Sequence, residues 1–201
     1  MPPTTKGLSR PTSSFATNSL PLRTVDPSRL FRLSKHLTGE PFFNNSGRNR
    51  FDAPAGQYKT CYFGFKLSTA ICETVLHDIV PVNGYFDIYI PKLVAYNVYR
   101  YAGAKLKLAN LTGEALKRLG LHGQFSGTSY YTKPQSWSEA IYNHPSNVDG
   151  FIYMSRHLTT EKAVVLFDRA GTKIQAETPE GLTVHKGWPR AARSLGIRGI
   201  W

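Results

Sequence analysis

Hydrophobic and polar positions change period several times along the chain, and each change marks an element. From Tyr58 to Phe65 aromatic residues crowd together with Thr60 and Cys61, as in a strand. From Leu67 to Asp78, LSTAICETVLHD, the period becomes helical. Ile71, Cys72, Val75, Leu76 and Ile79 form one apolar arc, while Ala70, Glu73 and His77 share the other side. Ser68 stands where an N-cap belongs. Beyond the Asn83-Gly84 turn, Tyr85 to Ile90 and Leu93 to Tyr101 alternate as half-buried strands do. Thr112 opens a short helix that ends at Gly120, and the Gly-, Ser- and Tyr-rich stretch from Leu121 to Lys133 reads as a loop. Ser136-Trp137-Ser138-Glu139 is a capping box, opening a helix that runs to about His144. GFIYMS at 150–155 and AVVLF at 163–167 are apolar runs short enough to be core strands.

Ahead of these elements, SRLFRLS after Pro27 gives a short strand containing Arg32, and a polar loop over 38–56 holds GRNRFDAPAG. Loops of that kind carry function more often than stability. Strands outnumber helices and are not regularly separated by them. The pattern therefore predicts an α+β fold, a single two-layer domain with a mostly antiparallel sheet. The 201 residues suit one sizeable core, expected over 27–170. Residues 1–26 are rich in Ser, Thr and Pro, have no acid before Asp26 and lack the apolar core of a secretory signal, so they read as a flexible basic arm. Residues 171–201 turn polar and then basic, an extension either packed on the domain or loose.

Composition narrows the function classes. No apolar run approaches the ~20 residues needed to cross a bilayer, so no membrane partner is expected. The formal net charge is +12, and its distribution matters more than its size. Residues 1–50 carry net +6 and residues 185–201 net +4, which leaves +2 for everything between. A basic periphery around a nearly neutral body suits an acidic protein, RNA or an anionic small molecule equally. Cys61 and Cys72 fall on a strand and on a buried helical arc, the places of two reduced core thiols. The six histidines are scattered and no spacing resembles a metal site.

Singly, each candidate residue has an ordinary reading. Arg32 faces solvent from an edge strand, Arg50 pairs with Asp52 as a surface ion pair, Tyr62 and Trp137 are core, and Ser155 satisfies backbone groups at a strand end. Glu73 is a solvated helical carboxylate. Their order along the chain is more specific. FR at 31–32, GRNRFDAPAGQY at 47–58, CYFG at 61–64, TAICETVLHD at 69–78 and DGFIYMSR at 149–156 together resemble the RES domain family. That family is named for an Arg, a Glu and a Ser, matched here by Arg32, Glu73 and Ser155. Arg50-Phe51 matches its arginine-aromatic element and Tyr62 its tyrosine before the helix. GRNRF offers two arginines where the motif has one; Arg50 directly precedes the aromatic, and the role of Arg48 stays open.

The resemblance implies an ADP-ribosyltransferase-like fold and a cytoplasmic toxin that destroys NAD⁺, neutralised by a cognate antitoxin or immunity protein. Nucleic acid then enters at most indirectly, through a DNA-binding antitoxin, and a homo-oligomer stays open. NAD⁺ is a substrate, so no cofactor or metal is implied. The residue types suit the chemistry. Cleaving the nicotinamide–ribose bond develops oxocarbenium character, which a carboxylate at Glu73 can stabilise. Arg32 and Arg50 can grip the pyrophosphate through bidentate forks. Tyr62 offers a flat face to the nicotinamide ring, and Ser155 a hydrogen bond to its amide or to the ribose. Gln135, Trp137 and His157 are further candidates for the cleft wall. The acceptor is water or inorganic phosphate. A rival enzyme reading is ADP-ribosyl transfer to a protein or nucleic acid. A non-enzymatic rival is a basic nucleic-acid-binding module, for which the chain offers no RNP-type aromatic pair or recognition helix.

Overall fold

GFIYM and KAVVLF show no polar alternation, which is the signature of strands covered on both faces. They form the centre of the main sheet in the computed structural model, which describes residues 7–201. In chain order the elements are β1 (Leu22–Val25), β2 (Arg32–Ser34), β3 (Thr60–Gly64), α1 (Leu67–Thr74), β4 (Phe86–Tyr89) and α2 (Ile90–Val94). They continue with β5 (Asn97–Tyr99), β6 (Tyr101–Gly103), β7 (Leu106–Asn110), α3 (Gly113–Arg118), α4 (Gln124–Gly127) and α5 (Thr132–Tyr142). The chain closes with β8 (Gly150–Met154), β9 (Lys162–Phe167), β10 (Ile174–Ala176), β11 (Glu180–Gly181), α6 (Trp188–Leu195) and β12 (Ile197–Ile200).

The main sheet runs β1-β7-β8-β9-β3, antiparallel except for β7 with β8. A smaller antiparallel sheet runs β11-β5-β2, and β10 with β6 and β12 with β4 form two further pairs. The fold is thus α+β and mostly antiparallel, as the pattern predicts. The two larger sheets meet at one bridge, where Phe31 and Gly64 exchange backbone hydrogen bonds of 2.8 and 2.9 Å. Alternation then sorts the core. Phe151, Tyr153, Val165 and Phe167 pack with Phe51, Phe125 and Trp137 on one face of the main sheet. Ile152, Val164 and Leu166 pack with Leu30, Tyr101 and Leu106 on the other. A third cluster joins the apolar arc of α1 to Leu33, Val98, Leu182 and Ile197.

Several elements differ from the sequence reading. Residues 7–26 are not a loose arm: β1 pairs with β7, and Leu8, Phe15 and Leu20 are buried in the first cluster. These three apolar residues are too far apart to give any period, yet each is buried in that cluster, Phe15 edge-on to Trp137 of α5 at 5.1 Å. The rest of the expected arm, residues 1–6, lies outside the described residues. The strand expected over Leu93 to Tyr101 is broken up: its start belongs to α2, which carries Pro91 in its first turn, and β5 and β6 join different sheets. Lys66, not Ser68, holds the cap position of α1, and the helix ends at Thr74. Helix α5 begins four residues before the expected capping box, so Ser136 lies inside it, donating to the carbonyl of Lys133 at 2.8 Å. The C-terminal extension packs on the body through Leu182, Ala191 and Ile197. Both cysteines are free and buried.

Candidate active site

At the seam between the two sheets a cleft of about 360 Å³ opens beside α1. Its floor depends on a close approach. A Cβ on Gly64 would lie 2.9 Å from Ala70 N, Lys66 O and Thr69 Cβ, so only glycine lets the end of β3 meet the first turn of α1. That contact fixes the phase of the helix, burying Ile71 and Cys72 and turning Ala70, Glu73, Thr74 and His77 toward the cleft.

Glu73 is half-buried, and its Oε1 accepts a 2.6 Å hydrogen bond from Ser155 Oγ. Ser155 follows β8 directly and is 2% exposed. Its hydroxyl also accepts from the amides of His157 at 3.2 Å and Leu158 at 3.0 Å. A hydroxyl has one proton and two lone pairs. With both lone pairs occupied by amides, the proton is committed to Glu73, and the carboxylate is held from behind.

The arginines come from two directions. Arg32 enters from β2, with Nε 2.7 Å from Glu40 Oε2 and Nη1 3.2 Å from the carbonyl of Tyr62. Burial opposes its charge, but its neighbours Cys61 and Glu40 outweigh that, so its pKa stands above the ordinary arginine value. Arg48 and Arg50 come from the loop over 46–52, which is tied down from inside by the buried carboxylate of Asp52. Asp52 accepts from Ser46 Oγ at 2.9 Å, Asn49 N and Nδ2 at 3.1 Å, and Thr60 Oγ1 at 2.7 Å. It therefore organises the loop rather than pairing with Arg50. The Arg50 guanidinium lies 4.8 Å over the Tyr131 ring and donates to the carbonyl of Thr128. Burial lowers its pKa, and nearby Tyr131 works against that shift.

Tyr62 lines the cleft, its hydroxyl accepting from Phe51 N at 3.0 Å and reaching Asp52 Oδ1 at 3.4 Å. Burial keeps it a neutral phenol. His157 lies on the wall, its ring 4.9 Å from that of His77 and its Nε2 buried without a partner. Burial depresses its pKa, partly offset by Glu73, while His77, Arg156 and Arg50 push it further down.

Arg32, Arg48, Arg50, Tyr62, Glu73 and His157 thus line one cleft, with Ser155 bonded to Glu73 behind it. Phe51 borders the same cleft, whereas Trp137 and Gln135, expected on its wall, stand elsewhere. Phe51 lies beneath the cleft lining at 0% exposure, its ring packed 4.8 to 5.0 Å from Tyr153, Phe151 and Phe125, so it anchors the arginine loop to the core. Trp137 is 4% exposed and faces the N-terminal segment, donating to the carbonyl of Ser9 at 2.7 Å. Its ring meets that of Phe15 edge-on at 5.1 Å. Gln135 holds the loop from outside, its Nε2 donating to the carbonyls of Gly47 and Asn49 at 3.0 Å each.

Sequence reasoning missed Arg156, Tyr131, Tyr153 and Glu40. Arg156 had a signal, since it follows Ser155 in the motif itself. Tyr131 had none, lying in a stretch read as loop. Among the described residues Arg48, Arg50 and Arg156 have no salt-bridge partner, so the cleft is strongly cationic around one open carboxylate. No group of three or more His, Cys, Asp or Glu among the described residues is placed to hold a metal ion. Such a cleft can bind a multiply charged anion and stabilise positive charge at one point within it.

The family model of the RES domain matches residues 26–187, which include every cleft residue named above. No curated protein matches the chain. Among solved structures, a chain of the crystal structure of the M. tuberculosis MbcT–MbcA toxin–antitoxin complex superposes with a TM-score of 0.59 at 13% sequence identity, covering 86% of this chain and 91% of that one. At such identity the likeness concerns the fold.

Proposed function

Because the chain belongs to the RES domain family, we propose that it is a toxin that depletes NAD⁺ by cleaving the nicotinamide–ribose bond, with water or inorganic phosphate as acceptor. The observation that carries the reading is the Ser155–Glu73 hydrogen bond of 2.6 Å inside a cleft walled by Arg32, Arg48, Arg50 and Arg156. The arginines suit the two charges of a pyrophosphate, and the fixed carboxylate suits the ribose end.

As the C1′–N bond breaks, its electron pair returns to the pyridinium nitrogen and nicotinamide leaves neutral, so no general acid is needed. Positive charge passes to the ribose, where Glu73 stabilises it. Water then bonds to C1′ and releases its proton to solvent, whereas phosphate bonds through an oxygen that is already deprotonated. Ser155 acts through Glu73, keeping the carboxylate from turning away. Tyr62, neutral and half-buried, supports the flat nicotinamide ring. A cognate antitoxin belongs to the same proposal, supported by a fold shared with a chain of the MbcT–MbcA toxin–antitoxin complex. A cytoplasmic site of action follows from the substrate.

Product analysis of NAD⁺ incubated with the purified protein, with and without phosphate, tests this. Free nicotinamide is expected, with ADP-ribose or its 1-phosphate identifying the acceptor. Glu73→Gln should slow nicotinamide release ~100- to 1,000-fold, the usual loss of one preorganised electrostatic group. Label retained on a macromolecule would move the reading to ADP-ribosyl transfer. Absence of nicotinamide release would end it.

A further inference from the structure

Arg32 does not hold its position in the cleft alone. A guanidinium carries five N–H donors in a rigid plane. Nε is committed to Glu40 Oε2 at 2.7 Å and one Nη1 proton to the carbonyl of Tyr62 at 3.2 Å, which leaves three donors on the two Nη atoms for whatever enters the cleft. Glu40 comes from the turn beyond β2, and its side chain is 1% exposed. The same Oε2 accepts from the amide of Phe42 at 3.0 Å, so a single oxygen ties the turn to the arginine. The other oxygen, Oε1, is buried with no partner, as is the hydroxyl of Tyr101 nearby.

A carboxylate so far from water, with one oxygen unsatisfied, weakens the fold. It also cancels part of the positive charge that an anionic substrate would meet. Neither effect favours its presence. What it supplies is orientation: an arginine without such a partner samples more rotamers and must give them up on binding.

We propose that Glu40 is a positioning residue for the NAD⁺ reaction, locking the Arg32 guanidinium in the plane that turns its free N–H groups toward the substrate pyrophosphate. The inference rests on the NAD⁺ reading of this cleft.

Electrostatics and positioning predict opposite signs for Glu40→Gln. Removing a negative charge from a cationic cleft would by itself tighten binding of an anion, lowering KM. Loss of orientation raises KM, and about tenfold is expected, with kcat changed much less, because the lost interaction binds substrate and transition state alike. If Glu40 acts through Arg32, the double variant Arg32→Ala/Glu40→Gln is no worse than Arg32→Ala alone. An unchanged or lowered KM in Glu40→Gln, or losses that add in the double variant, would overturn the inference. The ¹⁵N resonance of Arg32 Nε–H reads the placement without any reaction: it should be slowly exchanging in the wild type and averaged in Glu40→Gln. If it stays at its wild-type shift in Glu40→Gln, the positioning role falls whatever the protein does with NAD⁺. If the wild type consumes no NAD⁺ while that resonance collapses in the variant, the substrate reading falls and the placement of Arg32 by Glu40 stands.

Discussion

Glu73 depends on what Ser155 leaves it. Two backbone amides occupy the lone pairs of the serine hydroxyl, so its proton has one place to go. The bond therefore survives as long as the turn after β8 does, and it fixes one oxygen of a carboxylate that lines the cleft. Ser155→Ala removes that support together with the acceptor for His157 and Leu158. A buried hydrogen bond to a charged group contributes about 1.5–3 kcal/mol, so, on the proposed NAD⁺ reaction, kcat should fall ~10- to 100-fold if most of it is felt at Glu73. Steady-state kinetics with NAD⁺ check this, and a loss confined to KM would mean that the serine touches substrate and does not position Glu73. Arg50 follows the same logic with a neutral partner. The Tyr131 ring and a backbone carbonyl aim it without cancelling its charge.

At the scale of elements, the cleft depends on how closely β3 and α1 approach. Gly64→Ala places a methyl 2.9 Å from backbone atoms of Lys66 and Ala70 that have nowhere to move. Overpacking of this kind costs about 1–3 kcal/mol, and each kcal/mol lowers Tm by about 2–4 °C in a chain of this size. Calorimetry should record that drop, and nicotinamide release should fall with it because α1 carries Glu73. A variant that melts like the wild type would show the approach to be looser. Elements of this kind were largely legible in the sequence. The strand before α1, the apolar arc of the helix and the two core strands all rest on strong local periods, and the ordered motifs brought Arg32, Arg50, Tyr62, Glu73 and Ser155 to one place. What local pattern cannot carry is which body covers a given face. Trp137 reads first as a core residue and second as a cleft wall, and the N-terminal segment lying on it decides for the core. Glu40 and Asp52 sit in loops with no period, and their importance comes from partners eight residues away along the chain, Arg32 and Thr60 respectively.

Across the whole molecule, the net charge of +12 changes meaning once the chain is folded. Arg32, Arg48 and Arg50, from the basic first fifty residues, converge with Arg156 on one cleft, which is where an anionic small molecule would bind and not a duplex-tracking stripe. The basic end is likewise part of the body. Helix α6 and β12 close the cluster under α1, with Ile197 buried against it and Arg198 paired to Asp87 at 2.6 Å. Residues 188–201 lie beyond the matched domain yet hold the helix that carries Glu73. Ile197→Ala should then cost about 2–4 kcal/mol, as truncating a buried aliphatic does, and lower both Tm and turnover. Trp201→Ala, four residues on and 92% exposed, should leave both at wild-type values. Thermal melts and NAD⁺ turnover measured on the two variants side by side decide it. Equal behaviour of the pair would mean that the C-terminal segment rides on the domain without supporting the site.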